Sequence, residues 1–305
     1  MIWEIYNEPN TKMFWPPRPA ADEYVALALA VGRAFRVAVP NEKLIGPATA
    51  GIDFPFIEAC FNAGLLEHWS AVSVHPYRQS DPEAAANDFC RLRKMMASSA
   101  ERKSVPPAGA GGYAGVSAAR DNNGEVPIIS SEWGYSSAWR GMSEEKQGAM
   151  LAREMLTNVA NGIPISIWYD WRDDGLAPDD PEHHFGLVRN TYQQGSNQVY
   201  QPKPAYFAAQ TLSKFFNGYR FEKRLSVSRD DDYVLVFAKA GERRIAAWTT
   251  SSTAHRIVIP VGMGSFNVTT HTGELARSIL ASQQELTIEV STMPLYLARD
   301  TRGSP

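Results

Sequence analysis

Two glutamates of this chain each follow a short apolar run of the kind that forms a buried β-strand. Glu8 belongs to WEIYNEP at residues 3–9, and Glu132 belongs to VPIISSEWG at residues 126–134. Two such carboxyl groups can cleave a glycosidic bond: one protonates the leaving oxygen, and the other attacks the sugar carbon or activates water. A glutamate at a strand end is more often an ion-pair partner or a helix cap, so the surrounding elements must strengthen the interpretation.

The first 217 residues alternate between strand-like and helix-like runs, which predicts parallel strands joined by right-handed crossovers. In that arrangement the carboxyl ends of the strands meet at one face, so Glu8 and Glu132 would lie close together. The predicted strands are 2–7, 43–49, 71–77, 127–131 and 163–170. The predicted helices are 20–39, 54–62, 81–98, 143–161 and 204–216, and two long loops are predicted at 104–124 and 172–201.

The predicted secondary structure changes from mixed helices and strands to strands alone at about residue 218. Short β-type runs separated by turn residues follow one another about every ten residues, a pattern typical of a small antiparallel sandwich. The predicted strands are 233–237, 244–248, 256–259, 266–270, 286–290 and 295–297. We therefore expect two domains, an α/β domain at 1–217 and a C-terminal β-sandwich at 218–305.

Composition excludes several other classes of function. The formal net charge of −3 among 305 residues gives no reason to expect nucleic acid or an anionic membrane as a partner. No window is apolar enough to span a membrane, and no signal peptide is visible, which leaves the localisation of the parent protein open, secretion included. Cys60 and Cys90 form no metal-binding motif, and the adjacent His183 and His184 rarely converge on one ion, so no metal or cofactor is expected.

Four motifs in their order along the chain resemble the retaining glycoside hydrolases built on (β/α)8 barrels, families 39 and 5 most of all. In that clan Asn-Glu ends the fourth strand and a second Glu ends the seventh. The motifs are WEIYNEP at 3–9, SVHPY at 73–77, SEWG at 131–134 and WYDWRDDG at 168–175. The resemblance covers residues 2 to about 217 and implies an incomplete (β/α)8 TIM-type barrel that holds the equivalents of strands 4–8.

The resemblance also implies roles for individual residues. Glu8 would be the general acid/base and Glu132 the nucleophile, so Glu8 must be protonated at rest while Glu132 stays ionised. The other implied contacts are Asn7 with the sugar 2-hydroxyl, Tyr77 as a phenol donor to Glu132, His75 in the same pocket, and Trp168 or else Trp171 as the floor under the sugar.

Seven of the eight tryptophans lie in the first 171 residues, which suits a carbohydrate cleft, although large domains also bury tryptophan for packing. Trp15, Trp133 and Trp139 lie near predicted strand ends and are the candidates for flanking subsites.

Structural alternatives remain open for several of these side chains. Tyr77 could be a packing residue, and His75 could be a core histidine satisfied by the backbone. Asp173 and Asp174 could bind sugar hydroxyls, although a solvated acidic turn accounts for them more simply.

The family pattern places three βα units before the strand that carries Asn-Glu, whereas here only Met1 precedes it. We therefore expect an N-terminally truncated barrel whose two apolar sheet edges are unpaired and could be covered by a second copy of the chain. The predicted function is a retaining β-glycoside hydrolase acting on carbohydrate. The alternative is a catalytically impaired, carbohydrate-binding fragment of such an enzyme. The sugar, the linkage and the choice between hydrolysis and transglycosylation stay open.

Overall fold

The computed structural model describes residues 1–104, 126–195 and 199–300. The loop predicted at 104–124 therefore lies, beyond residue 104, outside the described residues. In the described part of the chain no helix is long and apolar enough to cross a membrane.

A five-stranded sheet in the order β1-β2-β3-β4-β5 forms the first part of the fold. The pairings of β1 with β2, β2 with β3 and β3 with β4 are all parallel, as the sequence predicts. The strands are β1 (Ile2–Glu4), β2 (Lys43–Ala50), β3 (Ala71–His75), β4 (Ile128–Trp133) and β5 (Ser166–Trp168). The helices are α1 (Ala21–Ala38), α2 (Phe54–Asn62), α3 (Ala85–Ser104) and α4 (Glu144–Ala160).

Local signals explain where these elements begin and end. The Asp53 carboxylate caps α2 by accepting a hydrogen bond from the backbone N–H of Phe56, and Asp22 and Glu23 lie in the first turn of α1, where the helix dipole favours negative charge. Every residue of β3 is buried, as expected for a strand covered on both faces.

Strand lengths differ from the predicted ones at the ends that matter for chemistry. β1 stops at Glu4 because Tyr6 and Glu8 adopt left-handed backbone conformations, with φ of 68° and 45°. β4 extends through Trp133 and so contains Glu132, whereas the prediction ended this strand at residue 131. β5 is only three residues long instead of eight.

Two further predictions need correction. The helix predicted at 81–98 begins as a 3₁₀ turn at Pro82–Ala84 and continues as α3 to Ser104. The loop predicted at 172–201 contains a 3₁₀ helix at Pro181–His184 and the antiparallel strands β6 (Val188–Tyr192) and β7 (Tyr200–Pro202). These pieces are short and polar, so they carry little periodic signal.

After α5 (Pro204–Phe215) all elements are strands, arranged as a six-stranded antiparallel sheet and a two-stranded one. The strands are β8 (Arg220–Leu225), β9 (Asp232–Lys239), β10 (Glu242–Thr249), β11 (His255–Pro260), β12 (Ser265–Thr270), β13 (Leu275–Leu280), β14 (Glu285–Val290) and β15 (Leu295–Arg299). β11 pairs with β14, and both contribute to one apolar core with the larger sheet. β8 and β13 escaped prediction because their side chains are largely polar or exposed.

The chain divides into two compact units. The first comprises 1–80, 84–133 and 161–167, and the second comprises 81–83, 134–160 and 168–305. The boundary at residue 217 and the sandwich arrangement of the C-terminal strands stay predictions.

A buried charge network holds part of the second unit together. The Arg153 guanidinium, 1% exposed, donates to both carboxylate oxygens of Glu83 at 2.8 and 2.7 Å and contacts Asp81 at 2.9 Å. The indole N–H of Trp248 donates to the same Glu83 carboxylate at 2.6 Å. The network therefore ties a helix, a β-strand and the turn before α3 through one buried carboxylate.

Replacing Arg153 with Met should destabilise the protein by about 3–5 kcal/mol, because Glu83 would be left as an uncompensated buried charge. The matched control is Arg243→Met, which removes an exposed bidentate pair with Glu222 and should cost about 0–1 kcal/mol. Urea unfolding of both variants measures the difference. The double variant Glu83→Gln/Arg153→Met should recover part of the loss, and equal losses in the single and double variants would contradict the buried-charge explanation.

Candidate active site

The segment that leaves β1 has a constrained backbone. Left-handed backbone conformations are costly for residues other than glycine, and the surrounding contacts hold Tyr6 and Glu8 in them. The backbone N–H of Glu8 donates to the carbonyl of Ala48 at 3.0 Å, and the Tyr6 hydroxyl donates to the carbonyl of Phe14 at 2.7 Å. These bonds fix the position from which the Glu8 side chain extends.

The ends of β3 and β4 supply the partners of Glu8. His75 is the last residue of β3, and its carbonyl accepts hydrogen bonds from the backbone N–H groups of Gly51 and Tyr77, both at 2.8 Å. Glu132 is the penultimate residue of β4. Because these strands are parallel neighbours, their carboxyl ends lie side by side.

Two carboxylates and one imidazole meet at this edge. The Nδ1 atom of His75 lies 3.0 Å from Glu8 Oε1 and 3.9 Å from Glu132 Oε1. One oxygen of each glutamate and the histidine nitrogen all lie within 4.8 Å of one another. The Tyr77 hydroxyl donates to Glu132 Oε1 at 2.8 Å.

The imidazole is held charged by its surroundings. Burial of His75 opposes the charged form, yet the Glu4 carboxylate near Nε2, the hydrogen bond to Glu8 and the negative charge of Glu132 raise its pKa to about 9. The His75 side chain is 1% exposed, whereas those of Glu8 and Glu132 are 15% and 29% exposed. The site thus combines a buried cation with two carboxyl groups that solvent or a ligand can reach.

Glu4 belongs to this group, although the sequence analysis assigned it no role. Its Oε2 atom lies 4.0 Å from His75 Nε2. Burial favours the neutral acid, but interactions with His75, Ser131 and Ser73 hold the pKa of Glu4 below its ordinary value. The sequence signal that could have identified Glu4 is a charged residue between Trp3 and Ile5 in an otherwise apolar run.

The trio of Glu8, His75 and Glu132 has the donor types and spacing of a cation site. However, the Nδ1 atom that would coordinate a cation lies at hydrogen-bond distance from Glu8, and the imidazole is held in its protonated form. A protonated imidazole offers no lone pair to a metal. We therefore interpret the trio as a hydrogen-bonded group of acids and base.

Two more of the predicted contact residues lie in the first unit. The Asn7 side chain is half-buried, and no residue in the described ranges hydrogen-bonds it, so its amide is available to a ligand. Trp133 is fully buried, with the Arg78 guanidinium 5.4 Å from its ring centroid. It presents no exposed face on which a sugar could stack, so its burial opposes the predicted subsite role.

The predicted aromatic platform residues lie in the second unit. Trp168 is half-buried: its indole N–H donates to the carbonyl of Phe185 at 3.1 Å, and its ring stacks on Tyr135 with 6.4 Å between centroids. Trp171 is 57% exposed and meets Tyr206 edge-on. β5 ends at Trp168, so the two tryptophans do not share a strand.

The acidic turn after Trp171 is less solvated than expected. Asp173 is buried and accepts a hydrogen bond from the buried ammonium of Lys203 at 2.9 Å, so the solvated-turn interpretation is wrong for this residue. Burial and the charges of Asp174 and Asp173 raise the pKa of Asp170 to about 7. Asp170 lies beyond the end of β5, whereas the sequence predicts it as the last residue of that strand.

Close packing explains why residue 134 of the SEWG motif is a glycine. A Cβ atom on Gly134 would lie 2.0 Å from the carbonyl oxygen of Tyr169 and 3.2 Å from the Phe185 ring. Only glycine permits this approach of two backbone segments.

Neither the protein-family models nor the curated proteins include a match to this chain. Several solved structures, however, are similar to this chain. A family 39 glycoside hydrolase from Bacteroides cellulosilyticus WH2 aligns with 98% of this chain and 58% of its own, at 24% identity and a TM-score of 0.73. A family 39 β-xylosidase from Caulobacter crescentus aligns with 98% of this chain and 66% of its own, at 14% identity and a TM-score of 0.61.

A family 30 endoxylanase from Clostridium papyrosolvens C71 aligns with 98% of this chain and 65% of its own, at 12% identity and a TM-score of 0.59. This chain thus spans less than two thirds of the length of these proteins. At such identities the likeness shows the fold alone: a parallel half-barrel sheet with separate antiparallel sheets, as found in glycoside hydrolases.

Substituting Gly134 with Ala should destabilise the protein by about 1–3 kcal/mol or more, because the Tyr169 carbonyl cannot move without displacing its segment. Gly262→Ala is the control, since no atom lies within 4 Å of the added Cβ there, and it should change stability by no more than about 0.5 kcal/mol. Midpoints of urea unfolding compare the two. An unchanged midpoint for Gly134→Ala would refute the steric explanation.

Proposed function

We propose that the chain is a retaining β-glycoside hydrolase in which Glu8 is the general acid/base and Glu132 is the nucleophile. The observation that carries the proposal is the approach of the two carboxylates, which have oxygens within 4.8 Å of each other. Retaining glycosidases hold their carboxyl groups about 5–5.5 Å apart, whereas inverting enzymes need about 6.5–9.5 Å to admit a water molecule.

The contacts of each glutamate fit the proposed division of work. The Tyr77 hydroxyl donates to Glu132 Oε1 and so fixes the position of the proposed nucleophile. His75 donates to Glu8 and therefore stabilises the carboxylate that Glu8 becomes once it has given up its proton.

The reaction follows from these positions. Glu132 attacks the anomeric carbon while the proton of Glu8 passes to the glycosidic oxygen, and the bond between that carbon and that oxygen breaks. Glu8, now ionised, takes a proton from water, and the resulting hydroxide equivalent releases the sugar from Glu132. The available Asn7 amide would bind the sugar 2-hydroxyl, and an aromatic platform from Trp168 or Trp171 stays a prediction.

The likeness to glycoside hydrolases supports carbohydrate as the substrate class, without naming the sugar. A second candidate is a carbohydrate-binding protein without turnover. We also propose that a second copy of this chain covers the sheet edges. Measuring the oligomeric state in solution would test this.

Hydrolysis of a panel of aryl β-glycosides should be abolished by Glu132→Ala. Glu8→Gln should lose about 10²–10⁴-fold, and the loss should be larger on substrates with poor leaving groups, since these depend most on the proton that Glu8 donates. Glu58→Gln, on the exposed face of α2, is the control and should behave as wild type. Retained turnover in Glu132→Ala would refute the assignment. Binding of the sugars without wild-type turnover would favour the second candidate.

The first-formed product should keep the β-configuration at the anomeric carbon, because two displacements restore it. Proton NMR of the reaction within its first minutes distinguishes the anomers before they equilibrate. An initial α-product would contradict a nucleophilic Glu132.

A further inference from the structure

The imidazole of His75 has a carboxylate at each of its two nitrogens. Nδ1 lies 3.0 Å from Glu8 Oε1, and Nε2 lies 4.0 Å from Glu4 Oε2. Glu4 and Glu8 belong to the same segment of chain, and the tight turn through Tyr6 and Asn7 brings both to the one histidine. The proposed acid/base and nucleophile account for the Nδ1 side only, so the carboxylate at Nε2 needs its own explanation.

A buried imidazole keeps its second proton only if nearby negative charge offsets the lost hydration. Glu8 cannot supply that charge throughout the reaction, because a general acid is neutral before it donates its proton. Glu132 cannot supply it either once it is bonded to the sugar. Glu4 is the carboxylate at His75 that takes no part in bond making, and its charge is therefore constant.

We propose that Glu4 is a positioning residue that keeps His75 protonated throughout the reaction, so that the imidazolium holds Glu8 and Glu132 in place. This inference rests on the proposed glycosidase function for its catalytic meaning. The imidazolium offsets the repulsion between the two working carboxylates and stabilises Glu8 after proton transfer. His75 itself gains and loses no proton in either displacement.

The groups that face His75 define what can titrate there. Glu4 and Glu8 approach from β1 and the turn after it, and Glu132 approaches from β4 with Tyr77 bound to it. The hydroxyls of Ser73 and Ser131 interact with Glu4 and carry no charge. Removal of the Glu4 charge is therefore the one change that alters the Nε2 side without touching either working carboxylate.

The direct test is a pH titration of histidine-labelled protein by NMR, with the His75 resonance assigned through the loss of its signal in His75→Asn. His75 in the wild type should titrate near pH 9. In Glu4→Gln the titration should move down by at least about one unit, toward the ordinary value of about 6.5. Glu4→Asp keeps the charge and should fall between the two, and Glu58→Gln should match the wild type.

Activity gives a second, separate readout. The ratio of wild-type to Glu4→Gln kcat/KM should grow as the pH rises from about 6 to about 9, because the variant loses its imidazolium first. A loss that is the same at every pH would indicate a merely structural role and overturn the inference. So would an unchanged His75 titration in Glu4→Gln. Since the NMR titration needs no turnover, an inactive wild type would refute the proposed function while leaving the Glu4–His75 pair measurable.

Discussion

The buried imidazolium of His75 is the interaction on which the rest of the site depends. Three carboxylates lie around it, and two of them, Glu8 and Glu132, have oxygens close enough to repel each other. A cation that solvent cannot reach acts on these groups with little screening. Its presence makes a close pair of glutamates compatible with a folded chain, and the same close pair is what glycosidic bond cleavage requires.

The parallel sheet explains how residues so far apart in sequence come together. Glu8, His75 and Glu132 follow or end strands that are hydrogen-bonded in parallel through β2, and each crossover returns the chain to the same edge. The backbone adopts a costly conformation at one point of this convergence, because left-handed residues follow β1 and lead to Glu8. Strained backbone is common at functional sites.

The second unit shows a different use of buried charge. Glu83 and Arg153 are fully paired and joined by the Trp248 indole, so this network fixes packing and leaves no group free to react. At His75 the carboxylates remain partly exposed. Exposure to a ligand, more than the presence of charge, separates the candidate site from the structural network.

The alternation of strands and helices, the run of short strands after residue 218 and the two glutamates could be predicted from the sequence, because they depend on local periodicity and on motif order. It did not predict β8, β13 or the β6–β7 hairpin, whose polar residues give no periodic signal. Only the tertiary structure placed Glu4 at the far nitrogen of His75, buried Trp133 beneath Arg78 and paired Asp173 with Lys203. The physical reason is common to all three: whether a polar or aromatic side chain faces a ligand, a counter-ion or the core depends on neighbours that are distant along the chain, and local sequence carries no record of those neighbours.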